Sequence, residues 1–275
     1  MKISIITSTF NCENELKRTI DSIRSLKMDP LMTIEWIVID GASTDYTLKI
    51  INENRLTIDH FMTEPDDGIY DAWNKACEFI SGEWVVFLGA GDIILKENFN
   101  IFLKLLSAVD YRENAIAYGN VHLVNHNGDI KLIYKKIKDN DWSNGRPALP
   151  CHQGVFQHKS LFNKLGLNFD DTYKIAADSK FLLIAMRTTE PYYIDIDVSE
   201  MQLYGVSTTP KDILKVKREL EKLRTELGIK MSFKHTFIFN FRCYVKSFIA
   251  NFAGDKLFNL IANIYCFIAS KKRLY

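Results

Sequence analysis

The sequence predicts an α/β protein whose first half is a doubly wound, mainly parallel sheet, followed by a smaller mixed half and a helical tail. Three observations indicate this. Apolar runs of strand length alternate with helical patterns over the first hundred residues, a hairpin signal follows, and a basic, aromatic-rich segment closes the chain. Strands that alternate with helices imply parallel pairing, helices on both faces, and ligands at the carboxyl ends of the strands.

Four strands and three helices account for the first half. Short apolar runs bounded by polar or turn residues predict the strands, over residues 3–8, 35–40, 59–64 and 84–88. The helices are expected over 13–26, where Leu16, Ile20 and Ile23 share one face, after a cap at Ser43 or Thr44, and over 70–80.

Beyond residue 92 the pattern loosens. The dipeptide Asn127-Gly128 between two alternating runs predicts a hairpin. Helices are expected over 97–109 and 176–187, and short strands over 192–196 and 200–205. We therefore expect one domain over 1–210, with a first half over 1–95 and a second half over 96–210, and a tail over 211–275.

The tail is basic, whereas the rest of the chain is acidic. Residues 211–275 carry 14 Lys and Arg against 5 Asp and Glu, and the other 210 residues carry 21 against 29. A charged amphipathic helix is expected over 210–228. The longest uncharged run after it, 257–269, has 13 residues, fewer than the ~20 that a spanning helix needs.

The pattern within 257–269 allows two interpretations. Its apolar residues share one helical face, and the basic stretch "SKKR" follows, which is typical of an interfacial helix on an anionic membrane. Alternatively, the helix packs on the domain or on a second subunit. No nucleic-acid partner is expected.

Cysteine usage and the first residues indicate a cytoplasmic protein. The five cysteines are odd in number, widely spaced and form no CxxC pair, so we expect reduced thiols. The opening "MKISIITSTF" has no charged region before a long apolar run and no cleavage site, so we interpret it as a first strand rather than a signal peptide.

Carboxylates follow the predicted parallel strands. Asp40, Asp45, the stretch "EPDDG" (64–68) and Asp92 all fall at strand ends. Such an edge repels a bare phosphate, but a divalent cation between the acids and a diphosphate removes the repulsion, since Mg²⁺ and Mn²⁺ favour oxygen ligands. Neither GxGxxG nor GxxxxGK[ST] occurs, which argues against dinucleotide and P-loop sites.

Six segments in order carry a resemblance to a known family. "ISIITSTFN", "EWIVIDGASTDYT", "EPDDGIYDAWNKACEFISGEWVVFLGAGD", "CHQGVFQHKSLF", "IAADSKFLLIA" and "YGVS" resemble the family 2 glycosyltransferases, particularly bacterial enzymes of exopolysaccharide and O-antigen biosynthesis. The resemblance covers about residues 1–207. It implies the Rossmann-like GT-A fold, a nucleotide-diphosphate-sugar donor such as a UDP- or GDP-sugar, Mg²⁺ or Mn²⁺, and inversion at the sugar carbon.

The resemblance also implies roles for individual residues. The residues expected near the donor, and in part near the acceptor, are Thr7, Thr9, Asp40, Asp45, Asp67, Gly68, Asp71, Asn74, Lys75, Gly91, His152 and Gln153. From their spacing, Asp71, Asn74 and Lys75 share nearly one helical face and can reach one ligand together. Each of these residues also has an ordinary structural interpretation, such as a turn cap, an exposed helix face or a hydrogen-bonded histidine.

Two carboxylates receive chemical roles from the family pattern. Asp92 matches the last acid of the family's metal motif, while Gly89 and Gly91 stand where its earlier acids would be. Asp178, at the start of an apolar helix, matches the late catalytic acid, which would remove the proton of the acceptor hydroxyl. An acid in the first turn of a helix is also common for structural reasons.

The function expected from these residues is inverting transfer of a sugar from a nucleotide-diphosphate donor to a saccharide acceptor, lipid-linked at the inner face of the membrane. A sugar nucleotidyltransferase is one alternative, although "STFNCENE" lacks the Gly-rich signature with a nearby basic residue. The other is a non-catalytic, membrane-associated scaffold that keeps the fold without the metal pair.

Overall fold

The computed structural model describes residues 1–111, 115–125, 127–137, 142, 145–203 and 212–252. Contacts within the chain define two compact units. The first comprises residues 1–121, 134–136 and 150–201, and the second comprises 122–133, 137–149 and 202–275. The functional division at residues 95 and 210 stays a prediction.

The described residues form nine strands, eight α-helices and two short 3₁₀ turns. The strands are β1 (Lys2–Thr9), β2 (Thr33–Asp40), β3 (His60–Thr63), β4 (Trp84–Phe87), β5 (Ile93–Ile94), β6 (Ile116–Val124), β7 (Ile130–Tyr134), β8 (Val155–His158) and β9 (Tyr192–Gln202). The helices are α1 (Leu16–Arg24), α2 (Thr47–Glu53), α3 (Ile69–Cys77), α4 (Lys96–Ser107), α5 (Ser160–Asn163), α6 (Ala177–Ala185), α7 (Ile213–Glu226) and α8 (Phe233–Phe252). The 3₁₀ turns are Arg55–Thr57 and His152–Gly154.

The sheet has the order β3-β2-β1-β4-β8-β6-β9-β5, with β7 paired to β6. The first four strands in this order are parallel, which confirms the doubly wound first half. The remaining pairings of known direction are antiparallel, β8 with β4 and β6, and β5 with β9. The register aligns Thr9 with Asp40 and Asp40 with Thr63, so three strand ends meet at one edge.

The parallel strands are buried because helices cover them. Residues 3, 5 and 6 of β1 and residues 36–39 of β2 are almost completely inaccessible to water. Leu16, Ile20 and Ile23 of α1 join the same core, as their spacing predicts. Long apolar runs without alternation are what a two-sided parallel sheet requires.

Two predicted element boundaries are wrong. The second helix begins at Thr47 rather than after Ser43 or Thr44, because the Ser43 hydroxyl donates to Asp40 (2.6 Å) and the Asp45 carboxylate accepts from the Thr47 backbone N–H (2.9 Å). The strands expected over 192–196 and 200–205 are one strand, β9. The strand continues without a break through its polar residues because β5 pairs with residues 199–200.

In the second unit, α7 and α8 pack together. The predicted amphipathic helix is confirmed as α7, which buries Val216, Leu220 and Leu223. The predicted hairpin is confirmed by a turn at Gly128, whose φ of 82° favours glycine. No helix among the described residues has both the length and the apolar character needed to span a membrane. The run 257–269 lies outside the described residues.

The four cysteines within the described residues, Cys12, Cys77, Cys151 and Cys243, are free thiols.

A buried carboxylate ties the amino-terminal edge of the sheet together. Glu35 of β2 is 2% exposed and accepts hydrogen bonds from Lys2 Nζ (2.6 Å), the Ser4 and Ser81 hydroxyls, and the backbone N–H groups of Ser81 (2.7 Å) and Gly82 (3.0 Å). Burial alone would raise the pKa of Glu35, but the bonds from Lys2, Ser4 and Ser81 outweigh it and lower the pKa to about 2.

Replacing Glu35 with glutamine should lower the free energy of unfolding by about 2 kcal/mol at pH 7. Because the folded-state pKa is depressed, this stabilisation is present above the unfolded pKa and is lost as pH falls towards about 2. Urea unfolding of the two proteins between pH 7 and pH 3 should therefore give curves that converge in acid. The exposed Glu15→Gln is the matched control, and a gap that stays constant with pH would contradict the assignment.

Candidate active site

Asp40 joins the carboxyl ends of β1, β2 and β3 by hydrogen bonds. Its Oδ1 accepts from the hydroxyls of Thr9 (2.8 Å) and Ser43 (2.6 Å), and its Oδ2 accepts from Ser43 N–H (2.9 Å) and the Thr63 hydroxyl (2.9 Å). The side chain is completely buried. A carboxylate with two donors on each oxygen is a rigid structural element, so its predicted contact with a nucleotide base stays a prediction.

The two threonines of β1 are also engaged within the protein. The Thr7 hydroxyl accepts from Trp36 Nε1 (3.0 Å), and Thr9 donates to Asp40. Both residues are buried. They position the end of β1, and their place beside a nucleotide stays a prediction.

Asp45 stabilises the loop before α2. Its carboxylate accepts from the N–H groups of Thr47 (2.9 Å) and Glu13 (3.2 Å). Desolvation alone would raise the pKa of Asp45, but these hydrogen bonds lower it. The geometry is that of a turn between β2 and α2, which was one of the two interpretations of this residue.

The acidic loop before α3 brings Asp66, rather than its neighbour, against the strand ends. Its Oδ1 accepts from Gly68 N–H (3.0 Å), and a Cβ placed on Gly41 would lie 2.5 Å from its Oδ2. Burial, with a smaller contribution from the charges of Asp71 and Asp40, raises the pKa of Asp66. A raised carboxyl pKa among other acids is typical of functional sites.

The sequence predicted a ligand contact for Asp67, which stays a prediction, and none for Asp66. Asp67 is exposed, and its carbonyl accepts from Lys174 Nζ (2.6 Å). Both acids are visible in "EPDDG", but which one turns towards the strand ends depends on the backbone. Gly68 sets that direction, because its φ of 116° and ψ of 179° suit glycine alone.

The predicted trio on α3 does not converge on one point. Lys75 Nζ pairs with Asp71 (3.1 Å) and with Glu64 (2.7 Å). The Asn74 amide makes two bonds to the backbone of Phe169, donating to its carbonyl (2.8 Å) and accepting from its N–H (2.9 Å). Asp71 and Lys75 brace the acidic loop, and Asn74 joins α3 to the loop before α6. Their ligand contacts stay a prediction.

Thr19 of α1 holds the turn that follows β4. Its hydroxyl accepts from Gly91 N–H (2.9 Å) and donates to the carbonyl of Asp92 (2.8 Å). Gly91 has a φ of 95°, and a Cβ on Gly89 would lie 2.8 Å from Asp92 Oδ2. The two glycines therefore allow the chain to turn and the Asp92 carboxylate to fold over it. Thr19 was not predicted, although a polar residue within the apolar face of α1 was a signal.

The described residues contain no group of three or more His, Cys, Asp and Glu side chains arranged to hold a metal. Asp92 is 6% exposed and supplies one hard oxygen ligand at the carboxyl edge of the sheet. Mg²⁺ and Mn²⁺ bind well with one or two carboxylates when substrate phosphates and water complete the shell. Asp92 therefore fits a metal site in which the ligand provides most of the coordination.

His152 is set in an aromatic wall. Its ring stacks on Trp73 (centroids 5.0 Å apart, planes 11° apart), with Phe87 beside it at 5.4 Å. Gln157 Nε2 lies 3.2 Å from His152 Nε2. Burial lowers the pKa of His152, opposed only by the charge of Asp178, so the neutral imidazole is favoured.

Gln153, the next residue, accepts hydrogen bonds through both its side chain and its backbone carbonyl. Its Oε1 accepts from Cys151 Sγ (3.3 Å), and its carbonyl accepts from the Ser199 hydroxyl (2.8 Å). The bond from Ser199 ties the 3₁₀ turn to β9.

Asp178 occupies the first turn of α6 and is held by one oxygen. Its Oδ1 accepts from Ser179 N–H (2.6 Å) and lies 3.2 Å from the hydroxyl of Tyr70, which also donates to the carbonyl of Ile175 (2.7 Å). No described residue donates to its Oδ2. The carboxylate is half-buried, so one oxygen is oriented and the other is available.

The Cys151 thiol is influenced by the charges of both Asp92 and Asp178. Burial raises the pKa of this thiol to about 12, and the next contributions come from the charges of Asp92 and, more weakly, Asp178. Charge effects of this kind require proximity. Both carboxylates therefore lie near the Cys151 thiol, and their predicted roles at a metal and in proton transfer stay predictions.

The glycosyl transferase family 2 model matches residues 4–166, more than half of the chain. The chain belongs to glycosyl transferase family 2. An uncharacterized glycosyltransferase of Mycobacterium tuberculosis is 30% identical over 210 residues, which is 75% of this chain and 77% of the relative. Both findings agree with the family resemblance of the sequence segments.

Solved structures of glycosyltransferases show that this family 2 member has the predicted GT-A fold. TarS 1–349 of S. aureus with UDP-GlcNAc superposes with a TM-score of 0.58 at 18% identity, over 81% of this chain and 66% of TarS 1–349. The mannosyltransferase PcManGT of Pyrobaculum calidifontis with GDP-Man and Mn²⁺ gives 0.52 at 16% identity, over 99% and 87%. The chain thus spans just under two thirds of that TarS fragment.

Proposed function

We propose that this glycosyltransferase inverts the configuration of a sugar as it moves it from a nucleotide-diphosphate donor to a saccharide acceptor in surface polysaccharide biosynthesis. The observation that carries the proposal is the carboxylate of Asp178. One of its oxygens is oriented by Tyr70 and Ser179, and the other receives no donor among the described residues. A general base needs this arrangement, because the carboxylate must be held in place while one of its oxygens remains able to accept a proton.

In the proposed reaction, one bond forms, one bond breaks and one proton is transferred. The acceptor oxygen forms a bond to the anomeric carbon from the face opposite the leaving group, while the bond from that carbon to the diphosphate oxygen breaks. The diphosphate leaves with the electron pair, and the hydroxyl proton passes to Asp178 Oδ2. Tyr70 acts as a positioning residue, because its single proton is shared between Asp178 and the closer carbonyl of Ile175.

The donor is proposed to bind at the carboxyl ends of β1, β2 and β4. Neighbours of this fold were solved with UDP-GlcNAc and with GDP-Man and Mn²⁺, which supports a nucleotide-sugar. Asp66 and the strand ends joined by Asp40 would contact the nucleoside, and Gly91 would leave room for phosphate beside Asp92. Mg²⁺ or Mn²⁺ at Asp92 would neutralise charge that develops on the diphosphate.

The acceptor is proposed to be a lipid-linked saccharide at the inner face of the membrane. The support is the charge of the tail, 14 Lys and Arg against 5 Asp and Glu over residues 211–275, because basic segments are attracted to anionic lipid. The protein would then work as a peripheral enzyme on the cytoplasmic side.

A thermal-unfolding experiment tests donor binding. UDP or GDP with Mn²⁺ should raise the midpoint of unfolding by several degrees at ligand concentrations a hundred times Kd, since a ligand that binds only the native state stabilises it. UMP or GMP with Mn²⁺, which lacks the second phosphate, should give a smaller shift.

The alternative is a non-catalytic scaffold of the same fold, and its ground is that Gly89 and Gly91 stand where the family's earlier metal-binding acids would be. If none of the nucleoside diphosphates shifts the unfolding midpoint, the scaffold is the better description. A shift followed by release of free sugar from one donor in a panel supports the enzyme and identifies the donor.

A further inference from the structure

Helix α8 presents a stripe of aromatic side chains to solvent. Successive members of the stripe are 4, 4, 3 and 4 residues apart along the chain. At 100° per residue they therefore occupy roughly 80° of the helix circumference. Their exposed fractions lie between 58% and 86%. We call them the aromatic stripe: Phe233, Phe237, Phe241, Tyr244 and Phe248.

The aromatic stripe is not the surface that anchors α8 in its unit. Phe239, Cys243 and Ser247 lie on a different side of the helix and are buried. Helix α7, with Leu220 and Leu223 buried, packs against α8. The helix therefore has a complete buried face, and the stripe is additional apolar surface of a kind that folded proteins seldom leave to water.

The charge of α8 indicates what covers the stripe. Its 20 residues include Lys234, His235, Arg242 and Lys246 and no Asp or Glu. Lys217 of α7 is buried, pairs with Glu221 (2.7 Å) and lies 5.5 Å from the centroid of the Tyr244 ring. At 100° per residue, Lys234 borders the stripe, and Arg242 and Lys246 lie on the opposite side of the helix. An aromatic face with basic side chains on the polar face matches the boundary between anionic headgroups and acyl chains.

Two other occupants fit the charge less well. A second copy meeting through the same face would pair two helices that each carry basic side chains and no acid, with Lys234 of each chain beside the contact. The chain's own segment 253–275 carries four Lys and Arg against one Asp, so it also repels α8. An anionic surface is the complementary partner.

We propose that α8 lies along the surface of an anionic membrane with the aromatic stripe inserted at the headgroup level. The inference rests on the peripheral membrane association proposed above and assigns it to one helix within the described residues. It differs from the expectation for 257–269, which concerned another segment. Binding would bring this glycosyltransferase close to a lipid-linked acceptor.

Co-sedimentation of the full chain with vesicles tests the proposal. Wild-type protein should bind vesicles of phosphatidylcholine with phosphatidylglycerol at least ten times more tightly than vesicles of phosphatidylcholine alone. The double variant Phe237→Ser/Phe241→Ser should bind the anionic vesicles at least ten times more weakly than wild type. The matched control is Leu31→Ser/Leu56→Ser, which removes two exposed leucines from the first unit and should bind as wild type does.

Two results would overturn the proposal. One is equal binding of anionic vesicles by wild type and Phe237→Ser/Phe241→Ser. The other is a wild-type dimer in sedimentation velocity that the same variant dissociates, without vesicle binding, which would make the stripe an interface between copies. Because the stabilisation by UDP or GDP is measured separately and should be unchanged in the variant, failure here is distinguishable from failure of the proposed function.

Discussion

Asp178→Asn should reduce glycosyl transfer by about 10³-fold while the donor Kd stays within about twofold of wild type. Asparagine has nearly the shape of aspartate and can keep the place of Oδ1 near Tyr70, but it cannot accept the acceptor's proton. The loss should therefore appear in kcat. The measurement is single-turnover transfer together with calorimetric titration of the donor.

Asp171→Asn is the matched control, because Asp171 is an exposed acid seven residues away in the same segment. It should leave both quantities unchanged. Tyr70→Phe keeps the aromatic ring and removes one donor to Asp178, so an intermediate loss of about tenfold in kcat is expected. Retention of a tenth of wild-type turnover by Asp178→Asn would show that another group takes the proton.

The second large effect is expected from Asp92→Asn. Removing the carboxylate proposed to hold the cation should abolish the Mn²⁺ dependence of donor binding and lower kcat/KM by at least about 10²-fold. The turn itself should survive, because Thr19 holds it through the backbone of Gly91 and Asp92. Donor titrations with Mn²⁺ and with EDTA measure the effect directly.

Glu97→Gln provides the control for Asp92→Asn, since Glu97 is an exposed acid at the start of α4 five residues away. Thermal unfolding without ligand should be similar for both variants and for wild type. If Asp92→Asn keeps its full metal-dependent activity, the stretch "FLGAGD" is a turn and the metal is held elsewhere.

Most of the fold was predictable because local patterns and tertiary structure agree in the first half. Apolar runs without alternation correctly indicated strands buried on both faces, and the helical spacing of Leu16, Ile20 and Ile23 correctly indicated which side of α1 is buried. Element boundaries were predicted less well. The break expected near residue 198 is absent because β5, only two residues long, pairs with β9 there.

The sequence indicated which residues lie near the candidate site, but it did not indicate which groups each side chain contacts. Asp40, Asp45, Asn74 and Lys75 were correctly located at strand ends or on one helix, but all four are engaged by other groups of the protein. Burial, positive φ angles and contacts between distant segments decide such partners. Sequence spacing carries no information about them.

The sequence by itself determined that the chain is an α/β glycosyltransferase with acids at the carboxyl edge of a parallel sheet, because period, turn residues and motif order are local properties. Only the tertiary structure decided which acids face that edge and what holds them. Asp66 turns inward beside Gly41, and Asp178 meets Tyr70 from 108 residues away. Those choices depend on the packing of segments that are far apart in the chain, and packing is settled only when the whole core forms.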